Sequence, residues 1–376
     1  MNVYLVGGAV RDELIGREIK EKDWVVVGST EEDLLAKKFK KINSQFPVFL
    51  HPETKEEYAL ARKEKKVSPG HQGFKFIFDP SVTIEEDLKR RDFTMNAIAK
   101  KDNGELIDPF AGVADINNKL IKHVSEFFTE DPLRVFRCAR FAATLKSFGF
   151  KVSDETINLM QTKFSKDEFL SLSAERVWIE TQKALISDHP EEYFSVLNKA
   201  DCLHYFFNLR DIKEVIDLIE HVKKKYVGDV ERWAAVNSLS IDRKKTNELL
   251  KIPKKFSKLS DKIQECIRLF TQKNSDLEIL DSLHKISFFR ESSSARKAME
   301  LCGDLLKIRG SSLSLEPSLM LDIADRLEES KNEINHSLKD MKDEDKKSKL
   351  SELRLNIIRK TLSLIHISEP TRRVFI

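Results

Sequence analysis

The chain has 376 residues, which argues for two or three domains at roughly 100–200 residues per domain. Its 65 Lys and Arg against 62 Asp and Glu leave a net charge of +3, and 40% of its residues are hydrophobic. That fraction is enough to bury a core, so the composition excludes a wholly disordered chain. There are only 12 glycines, less than half of the average usage of ~7%, so we expect a mostly helical protein rather than a turn-rich all-β fold.

Cysteine usage and the N-terminus bear on the cellular compartment. Four widely spaced cysteines without a C-x-x-C pair argue against structural zinc and against a disulfide framework. The N-terminus reaches Arg11 and Asp12 before any long apolar run, and no stretch approaches the roughly 20 apolar residues of a membrane span. We therefore expect a soluble, cytoplasmic protein with no membrane partner.

The first hundred residues differ from the rest of the chain. Short β-type runs occur at 3–6, 24–27 and 58–61. Ser29 and Glu32 have the spacing of a capping box that opens a helix through Lys40. These signals predict an α+β domain with a small sheet, whereas from about Thr129 onward the apolar periodicity is helical almost without interruption.

The C-terminal part contains two unusual segments. Residues 328–360 are densely charged and indicate an exposed or loosely attached helix. Residues 363–376 fit no pattern of the preceding chain and resemble a translated sequencing adapter, so we predict a non-native tail there.

The segment LVGGAVRD at 5–12 has the features of a phosphate-binding loop. A strand that ends in Gly7-Gly8 and continues into a helix presents free backbone N–H groups, and glycine lets the main chain approach a ligand closely. Arg11 adds a guanidinium that can bind phosphate in a bidentate manner. An ordinary tight turn is the alternative interpretation.

Two carboxylates precede the apolar strand at 24–27. Glu21 and Asp23 are two residues apart, and on a strand such residues point to one face. Beside a triphosphate loop they form a site for hard divalent cations, normally Mg²⁺. Two such ions about 4 Å apart can activate an attacking hydroxyl and stabilise leaving pyrophosphate. The alternative is a solvated strand entry, since Lys20 and Lys22 flank the acids.

The segment EDPLRVFRCARF at 130–141 predicts a helix that could read a base. Asp131 is placed as its N-cap, and Asp131 and Arg134 lie three residues apart. A carboxylate beside a guanidinium matches the amine and ring nitrogen of adenine or cytosine, and leaves guanine and uracil unsatisfied. Arg137 and Arg140 continue the stripe and would contact phosphates. A surface salt bridge is the alternative interpretation of the Asp131–Arg134 pair.

Two further polar clusters stand out. Arg91 could meet a phosphate and Asp92 a ribose hydroxyl, although a charged helix start is also possible. Glu175, Arg176 and Glu180 surround a tryptophan, and there we favour a structural brace on a helix.

Together these motifs resemble the class II tRNA nucleotidyltransferases, the bacterial CCA-adding enzymes of the nucleotidyltransferase and poly(A) polymerase family. The resemblance covers residues 1–246 and is carried, in chain order, by GGAVRD, DWVVVG, RRDFTMNA, DPFAG, EDPLRVFR and ERVW. It implies an α+β nucleotidyltransferase head of the DNA polymerase β superfamily, with a small mixed sheet, followed by an all-α neck, body and tail. The implied boundaries are 1–125 for the head, 126–185 for the neck with its base-reading helix, and 186–362 for the RNA-binding body and tail.

The resemblance also implies an activity and its residues. The implied activity is template-independent addition of CCA to tRNA 3′ ends from CTP and ATP, with release of pyrophosphate. Glu21 and Asp23 would be the catalytic, Mg²⁺-binding residues. Nucleotide-binding roles are implied for Gly8, Arg11, Arg91, Asp131, Arg134, Arg137 and Arg140. A mobile loop that helps to switch from C to A addition is matched in composition by residues 62–80.

One departure from the family pattern concerns the metal site. The usual Asp-x-Asp is Glu21-Lys22-Asp23 here, and the extra methylene shifts the carboxylate by about a bond length. Because a misplacement of about 1 Å can cost ~10²-fold in rate, we expect an active but slower enzyme. Poly(A) polymerase, an enzyme that adds only CC or only A, and an RNA-binding homologue weakened at Glu21 remain as alternatives.

Overall fold

The structure is a computed structural model that describes residues 1–42, 47–66, 74–339 and 341–368. The chain divides into two compact units, here called unit 1 (1–216 with 248–251) and unit 2 (217–247 with 252–376), and each is described by itself. This division does not test the boundaries at 125/126 and 185/186, which stay predictions.

Unit 1 contains a seven-stranded mixed sheet with the strand order β3-β4-β5-β2-β1-β8-β9. Its strands are β1 (Asn2–Val6), β2 (Asp23–Val27), β3 (Lys40–Lys41), β4 (Val48–Leu50), β5 (Glu57–Leu60), β8 (Ala99–Lys100) and β9 (Leu106–Ile107). Two separate pairs are β6 (Lys63–Lys66) with β7 (Phe74–Ile77), and β10 (Leu120–Ile121) with β11 (Lys151–Val152). The predicted α+β head with a small mixed sheet is confirmed.

The helices of the described residues account for most of the remaining chain. They are α1 (Gly8–Leu14), α2 (Glu31–Ala36), α3 (Ile84–Lys89), α4 (Gly112–Asn117), α5 (Leu133–Leu145), α6 (Asp154–Lys163), α7 (Lys166–Leu170), α8 (Ala174–Leu185), α9 (Pro190–Lys199), α10 (Leu203–Phe206), α11 (Ile212–Lys225), α12 (Asp229–Ser238), α13 (Arg243–Leu249), α14 (Lys254–Thr271), α15 (Asp276–Lys285), α16 (Ser292–Ile308), α17 (Pro317–Glu329), α18 (Lys331–Ser337) and α19 (Asp343–Ser368). Short 3-10 helices cover Thr94–Asn96, Glu126–Glu130 and Lys146–Phe148. The expectation of a mostly helical protein is confirmed.

The alternating side chains of β2 bury both faces of the sheet. Val25 joins a buried cluster with residues of α3 such as Ile84 and Leu88, whereas Val26 joins a cluster on the other face with Leu34 of α2. Asp23 is two residues before Val25, so it lies on the α3 side of the sheet. This placement brings the carboxylate toward the residues that follow α3.

The predicted capping box is displaced by one residue. The N-cap of α2 is Thr30 rather than Ser29, and it exchanges hydrogen bonds with Asp33 rather than with Glu32. The helix ends at Ala36, so the prediction that it runs through Lys40 was wrong. A strand begins at Lys40 and pairs with β4, and this tertiary pairing overrides the local helical pattern.

Three helices of unit 1, α5, α8 and α9, pack against one another. The apolar face of α5 contacts α8 and α9, and its fully buried side chains include Val135 and Phe136. Its arginines recur every third residue and therefore lie along the opposite stripe. Glu180 projects from α8 and is 5% exposed, which is unusual for a carboxylate and indicates a charged partner.

Unit 2 is a helical array around α14. This helix packs against α12, α15 and α16, and α17 packs against α16 and α19. Fully buried rings such as Trp233 and Phe256 fill the core. The C-terminal helix α19 is described through Ser368, and the remaining residues of the predicted non-native tail lie outside the described part of the chain.

Three other predictions meet the structure here. Residues 67–73 of the predicted mobile loop lie outside the described residues, so its role stays a prediction. In the described ranges, no helix has both the length and the apolar character needed to cross a bilayer. The four cysteines, Cys138, Cys202, Cys266 and Cys302, are buried and free.

Candidate active site

The turn between β1 and α1 has a backbone conformation that requires glycine. Gly7 has φ 70° and ψ −130°, and a Cβ at this position would lie 3.0 Å from Nη1 of Arg91. Its N–H donates to the carbonyl of Ile98 at 3.3 Å. A Cβ on Gly8 would meet only Nη2 of Arg11 at 3.5 Å, an ordinary contact. The described protein atoms therefore demand glycine at position 7 but leave space at position 8.

Arg11 is buried in the network behind this turn. Its Nη1 donates to Oδ1 of Asn96 at 2.8 Å, and its Nε donates to Oδ1 of Asp12 at 2.9 Å. Burial lowers the pKa of Arg11, although the Asp12 carboxylate opposes this effect. The guanidinium links α1 to the segment after α3, and it is 5% exposed.

Asp23 lies at the end of its strand beside the glycine turn. It pairs with Val6 of β1, the residue directly before Gly7-Gly8, and with Glu57 of the parallel strand β5. Residues paired in this way share one face of a sheet. Among the described residues, neither the Asp23 nor the Glu57 carboxylate makes a hydrogen bond or a salt bridge, although the charge of Arg91 acts on Asp23.

Burial and two charged residues shift the pKa of Asp23. Loss of solvent raises the pKa of the Asp23 carboxyl, the Arg91 guanidinium lowers it, and the negative charge of Glu21 raises it. Glu21 precedes the strand rather than lying on it, because β2 begins at Asp23. The argument from strand alternation was therefore wrong for Glu21, but the two carboxylates are close enough to influence each other.

Arg91 connects the glycine turn with Asp23. Its Nη2 lies 3.2 Å from Oδ2 of the buried Asp87, and its Nη1 donates to the carbonyl of Asn96 at 3.5 Å. Its Nε has no partner among the described residues. The guanidinium is thus anchored on α3 with donor capacity left over, as a phosphate-binding arginine requires.

Asp92 is buried and fully engaged by protein groups. Its Oδ1 accepts from the N–H of Phe93 at 2.9 Å and from Asn96 at 3.1 Å. Its Oδ2 accepts from Nε of Arg137 at 2.8 Å and from Nη2 of the same residue at 2.7 Å. Burial by itself would raise the pKa of Asp92, but the guanidiniums of Arg137 and Arg134 lower it to about 2.

Glu180 of α8 joins two arginines of α5. Its Oε1 lies 3.8 Å from Nη1 of Arg137, and its Oε2 accepts from Nε of Arg140. The carboxylates of Asp92 and Glu180 raise the pKa of Arg137 against the effect of burial. The arginine stripe is therefore held from both sides by buried carboxylates.

An aromatic ring lies at the centre of this network. The guanidinium carbon of Arg140 is 4.0 Å from the centroid of the Phe141 ring, that of Arg11 is 5.0 Å away and that of Arg137 is 5.6 Å away. The ring also meets Phe93 edge to face, with centroids 5.5 Å apart. Cation–π attraction stabilises such an arrangement by about 0.5–2 kcal/mol per contact.

The two predicted base-reading residues are each held by the protein. Oδ1 of Asp131 accepts from the N–H of Leu133 at 3.0 Å, and Oδ2 accepts from Nη2 of Arg176 at 2.7 Å. Arg134 donates through Nη1 to the carbonyl of Phe127 and through Nη2 to that of Arg90, both at 2.6 Å. The N-cap of α5 is Pro132, so the prediction of Asp131 at that position was wrong by one residue, although the Asp131 carboxylate still accepts from the N–H of Leu133, the first residue of the helix.

The acidic side chains fit a divalent cation. Glu21, Asp23 and Glu57 supply hard carboxylate oxygens, and none of the three carboxylates is hydrogen-bonded or in a salt bridge with another described residue. Within the described ranges, no group of three His, Cys, Asp or Glu side chains is gathered closely enough to enclose a metal. Mg²⁺ is usually held by one or two carboxylates together with water and substrate phosphates, and Glu21 and Asp23 supply two neighbouring carboxylates.

Two regions of the chain match models of known protein families. Residues 3–122 match the family model described as "Poly A polymerase head domain", and residues 149–222 match the one described as "Probable RNA and SrmB- binding site of polymerase A". Both matched regions are those of the nucleotidyltransferase and poly(A) polymerase family. The predicted resemblance is thereby confirmed, and within this family the head domain implies use of a divalent metal.

The individual relatives that the chain matches have names that refer to CCA. The chain is 54% identical over 207 residues to a "Multifunctional CCA protein" of Pseudoalteromonas atlantica, covering 55% of this chain and 51% of that protein. It is 56% identical over 207 residues to a "CCA-adding enzyme" of Buchnera aphidicola, covering 55% and 50%. The chain therefore spans about half the length of the curated relatives it matches.

Solved structures share the fold over nearly the whole chain. The Bacillus stearothermophilus CCA-adding enzyme in complex with CTP aligns with a TM-score of 0.64 and 21% identity, covering 97% of this chain and 93% of that one. An apo form of a CCA-adding enzyme aligns with a TM-score of 0.67 and 20% identity, covering 98% and 92%. At this level of identity the likeness extends to the fold, including the helical remainder of the chain.

For several residues of the site, the sequence did not predict the role or the contacts that the structure shows. Asn96, which links Arg11 with Asp92, lies within the RRDFTMNA motif but was given no role. Glu57 is not among the residues predicted from the sequence, and its pairing with Asp23 depends on strand register. Glu180 and Arg176 were interpreted as a brace, and their contacts with α5 depend on how two helices pack.

Proposed function

We propose that this protein adds CCA to, or repairs, the 3′ ends of tRNA from CTP and ATP by nucleotidyl transfer with release of pyrophosphate. The observation that carries the proposal is the position of Asp23, which pairs with Val6 at the glycine turn and lies beside Arg91. The relatives whose printed names refer to CCA addition support the choice of product. Mg²⁺ is the proposed metal, and a cytoplasmic location fits the four free cysteines.

The acidic side chains carry the proposed chemistry. Glu21 and Asp23, whose charges influence each other, would hold the divalent cation through their carboxylate oxygens. When bound there, such ions lower the pKa of the attacking hydroxyl and neutralise charge on the leaving pyrophosphate. Glu57 lies in register with Asp23 on the neighbouring strand.

The glycine turn and the arginines would hold the triphosphate. The open space at Gly8 lets phosphate oxygens approach the backbone, and Arg91 has unused donor capacity beside it. Arg137 is one-third exposed and reaches the same region through Asp92. Arg11 and Asp92 are buried in the network, so we propose that they position Arg91 and Arg137 rather than bind phosphate or ribose directly.

The pair on α5 would read the base. Asp131 carries a carboxylate that accepts hydrogen bonds, and Arg134, three residues along the chain, carries a guanidinium that donates them. Together they offer an acceptor and a donor that match adenine and cytosine. Guanine and uracil present the reverse order and would leave both groups unsatisfied.

One extension assay tests the proposal. The protein is incubated with Mg²⁺ and a tRNA that lacks its 3′ CCA, with CTP and ATP supplied singly and together, and the products are sequenced. Two C followed by one A, without further growth, supports CCA addition. A long A tail would instead identify a poly(A) polymerase, addition of only CC or only A a partial enzyme, and no extension a binding protein.

Shortening the first carboxylate tests the departure at position 21. We expect Glu21→Asp to raise the rate of incorporation, by up to about 10²-fold, because aspartate restores the carboxylate position of the family pattern. Single-turnover incorporation of CTP measures this, with Glu18→Asp as the control because Glu18 is an exposed residue of the same segment. A wild-type rate no higher than that of Asp23→Ala would contradict a working metal site.

Removing either base-reading side chain tests base choice. We expect Asp131→Ala and Arg134→Ala to reduce the preference for CTP and ATP over UTP and GTP by at least about tenfold, because the mismatched bases no longer face unsatisfied partners. The readout is the ratio of kcat/KM values for each nucleotide pair. Unchanged discrimination in both variants would rule out the base-reading role.

A further inference from the structure

Unit 2 contains a cavity of about 220 Å³ between the turn that joins α15 to α16 and the helices α17, α18 and α19. The floor of the cavity is formed by apolar side chains that are at most 8% exposed, namely Phe288, Leu327 and Ile334. The rim is formed by cationic side chains, namely Arg290, Lys331 and Arg354. A largely apolar cavity with a few convergent polar groups is the usual form of a small-molecule site.

Arg354 occupies a position of α19 where the helical pattern predicts an apolar side chain. It lies four residues after Leu350 and four before Ile358, and residues with this spacing share one face of a helix. Leu350 also lines the cavity and Ile358 is fully buried, so this face of α19 points into unit 2. A charge on such a face requires a partner, because loss of solvent without one is costly.

No carboxylate among the described residues is that partner. The Arg354 guanidinium makes no hydrogen bond or salt bridge with them, and its carbon lies 3.5 Å from the centroid of the Phe289 ring. Loss of solvent lowers the pKa of Arg354. Arg296 of α16 differs in this respect, because it is bound to Asp325 and to Glu328, each at 2.7 Å.

The contact with Phe289 leaves the donors of Arg354 available. A guanidinium that lies over a ring uses its face for the contact, whereas its N–H groups point outward in its plane and can bind an anion in a bidentate manner. The side chains of Arg290 and Lys331 also make no hydrogen bond or salt bridge within the described part of the chain. Glu328 lines the cavity too, but its carboxylate accepts from Arg296.

We propose that this cavity binds a small phosphate monoester, whose phosphate pairs with the cationic rim and whose apolar body packs on the floor. A phosphate monoester carries a charge of about −1.5 to −2 at neutral pH and three acceptor oxygens, which suits three cations better than a carboxylate does. Free phosphate would leave the apolar floor without a partner. The lining residues belong to unit 2, so the site goes beyond the nucleotidyl transfer proposed for unit 1.

A purely structural role for Arg354 would give a different result. Its contact with Phe289 would then stabilise unit 2, and loss of the guanidinium would lower the protection of nearby amides from hydrogen exchange whether or not an anion is added. A binding site instead predicts that an anion with an apolar body raises this protection in the wild type, and that the gain depends on the rim.

The experiment titrates the full chain with phenyl phosphate, inorganic phosphate and benzoate, without tRNA or divalent metal. Because the proposed nucleotide site of unit 1 also binds phosphate, hydrogen exchange is followed separately in residues 287–292 and 350–358 and at the glycine turn. Arg354→Gln and Arg354→Lys are compared with Arg359→Gln. Arg359 is the matched control, because it is an exposed arginine of the same helix that binds Asp276 and does not line the cavity.

We expect phenyl phosphate to bind more tightly than either of the other two anions and to protect the amides of 287–292 and 350–358. Arg354→Gln should raise its Kd in unit 2 by about tenfold or more, because a charge-assisted hydrogen bond is lost. Arg354→Lys keeps a charge and should restore part of the affinity, and Arg359→Gln should bind as the wild type does.

Three results would overturn the proposal. The first is no protection of these amides by phenyl phosphate in the wild type. The second is a Kd in Arg354→Gln equal to that of the wild type. The third is equally tight binding of benzoate or of inorganic phosphate, which would exclude a monoester as the ligand class. If Arg354→Gln does not fold, Lys331→Gln replaces it, because Lys331 is an exposed residue of the rim and its loss should also weaken binding.

Discussion

Asp23→Asn should reduce nucleotide incorporation by at least about 10³-fold while the protein remains folded. The substitution keeps the shape of the side chain but removes the charge that would hold a divalent cation beside the glycine turn. Steady-state incorporation of CTP into a tRNA lacking CCA measures the loss. No other carboxylate in the described ranges is paired in register with both Val6 and Glu57, so a neighbour cannot take the place of Asp23.

The fold should tolerate this change, which separates a catalytic from a structural role. Loss of solvent and the charge of Glu21 raise the pKa of Asp23, so ionisation of this carboxyl is less favourable in the folded chain than in the unfolded one. A neutral asparagine should leave the free energy of unfolding at neutral pH unchanged or slightly higher. Asp102→Asn, at an exposed turn of unit 1, is the control and should retain full activity. Activity close to wild type in Asp23→Asn would exclude Asp23 as a metal ligand.

Asp92→Asn, unlike Asp23→Asn, should lower the stability of unit 1. The amide presents an NH₂ group or a single oxygen to Arg137, which donates twice to Oδ2 of the native carboxylate. We expect the free energy of unfolding to fall by about 2–3 kcal/mol. This is below the ~3–5 kcal/mol for breaking a fully buried pair, because Arg137 is 35% exposed and also lies near Glu180.

Hydrogen exchange of amides in the 92–96 segment and in α5 measures this destabilisation, because two units need not unfold together. Asp102→Asn again serves as the control and should leave these protection factors unchanged. Protection equal to wild type in Asp92→Asn would show that the contacts of Asp92 do not stabilise this region.

At low pH, wild type and Asp92→Asn should no longer differ in their free energy of unfolding. The folded-state pKa of Asp92 is about 2 and its ordinary value is 3.8, so the stability from its ionised form is present above about pH 4. It is lost as the pH falls through about 2, and the shift corresponds to about 2 kcal/mol. A difference between the two proteins that stays constant from pH 5 to pH 2 would contradict this linkage.

The roles of Arg11 and Asp92 illustrate why spacing alone assigns residues imprecisely. Both belong to motifs with phosphate or ribose chemistry, and both were expected to contact nucleotide. In the structure each is 5–7% exposed and is bound to other side chains of the site. A guanidinium or a carboxylate can bind a nucleotide or a neighbouring side chain equally well. Burial decides which of the two partners Arg11 and Asp92 bind.

Local sequence signals determined much of this protein. The apolar run before Gly7-Gly8, the acidic pair at 21–23 and the arginine period of α5 depend on neighbouring residues, and each was readable without the fold. The tertiary structure decided that Asp23 faces Glu57, that Glu180 binds Arg140 and that Arg176 holds Asp131. These pairs are 34 to 45 residues apart and depend on strand register and helix packing, which no local period encodes.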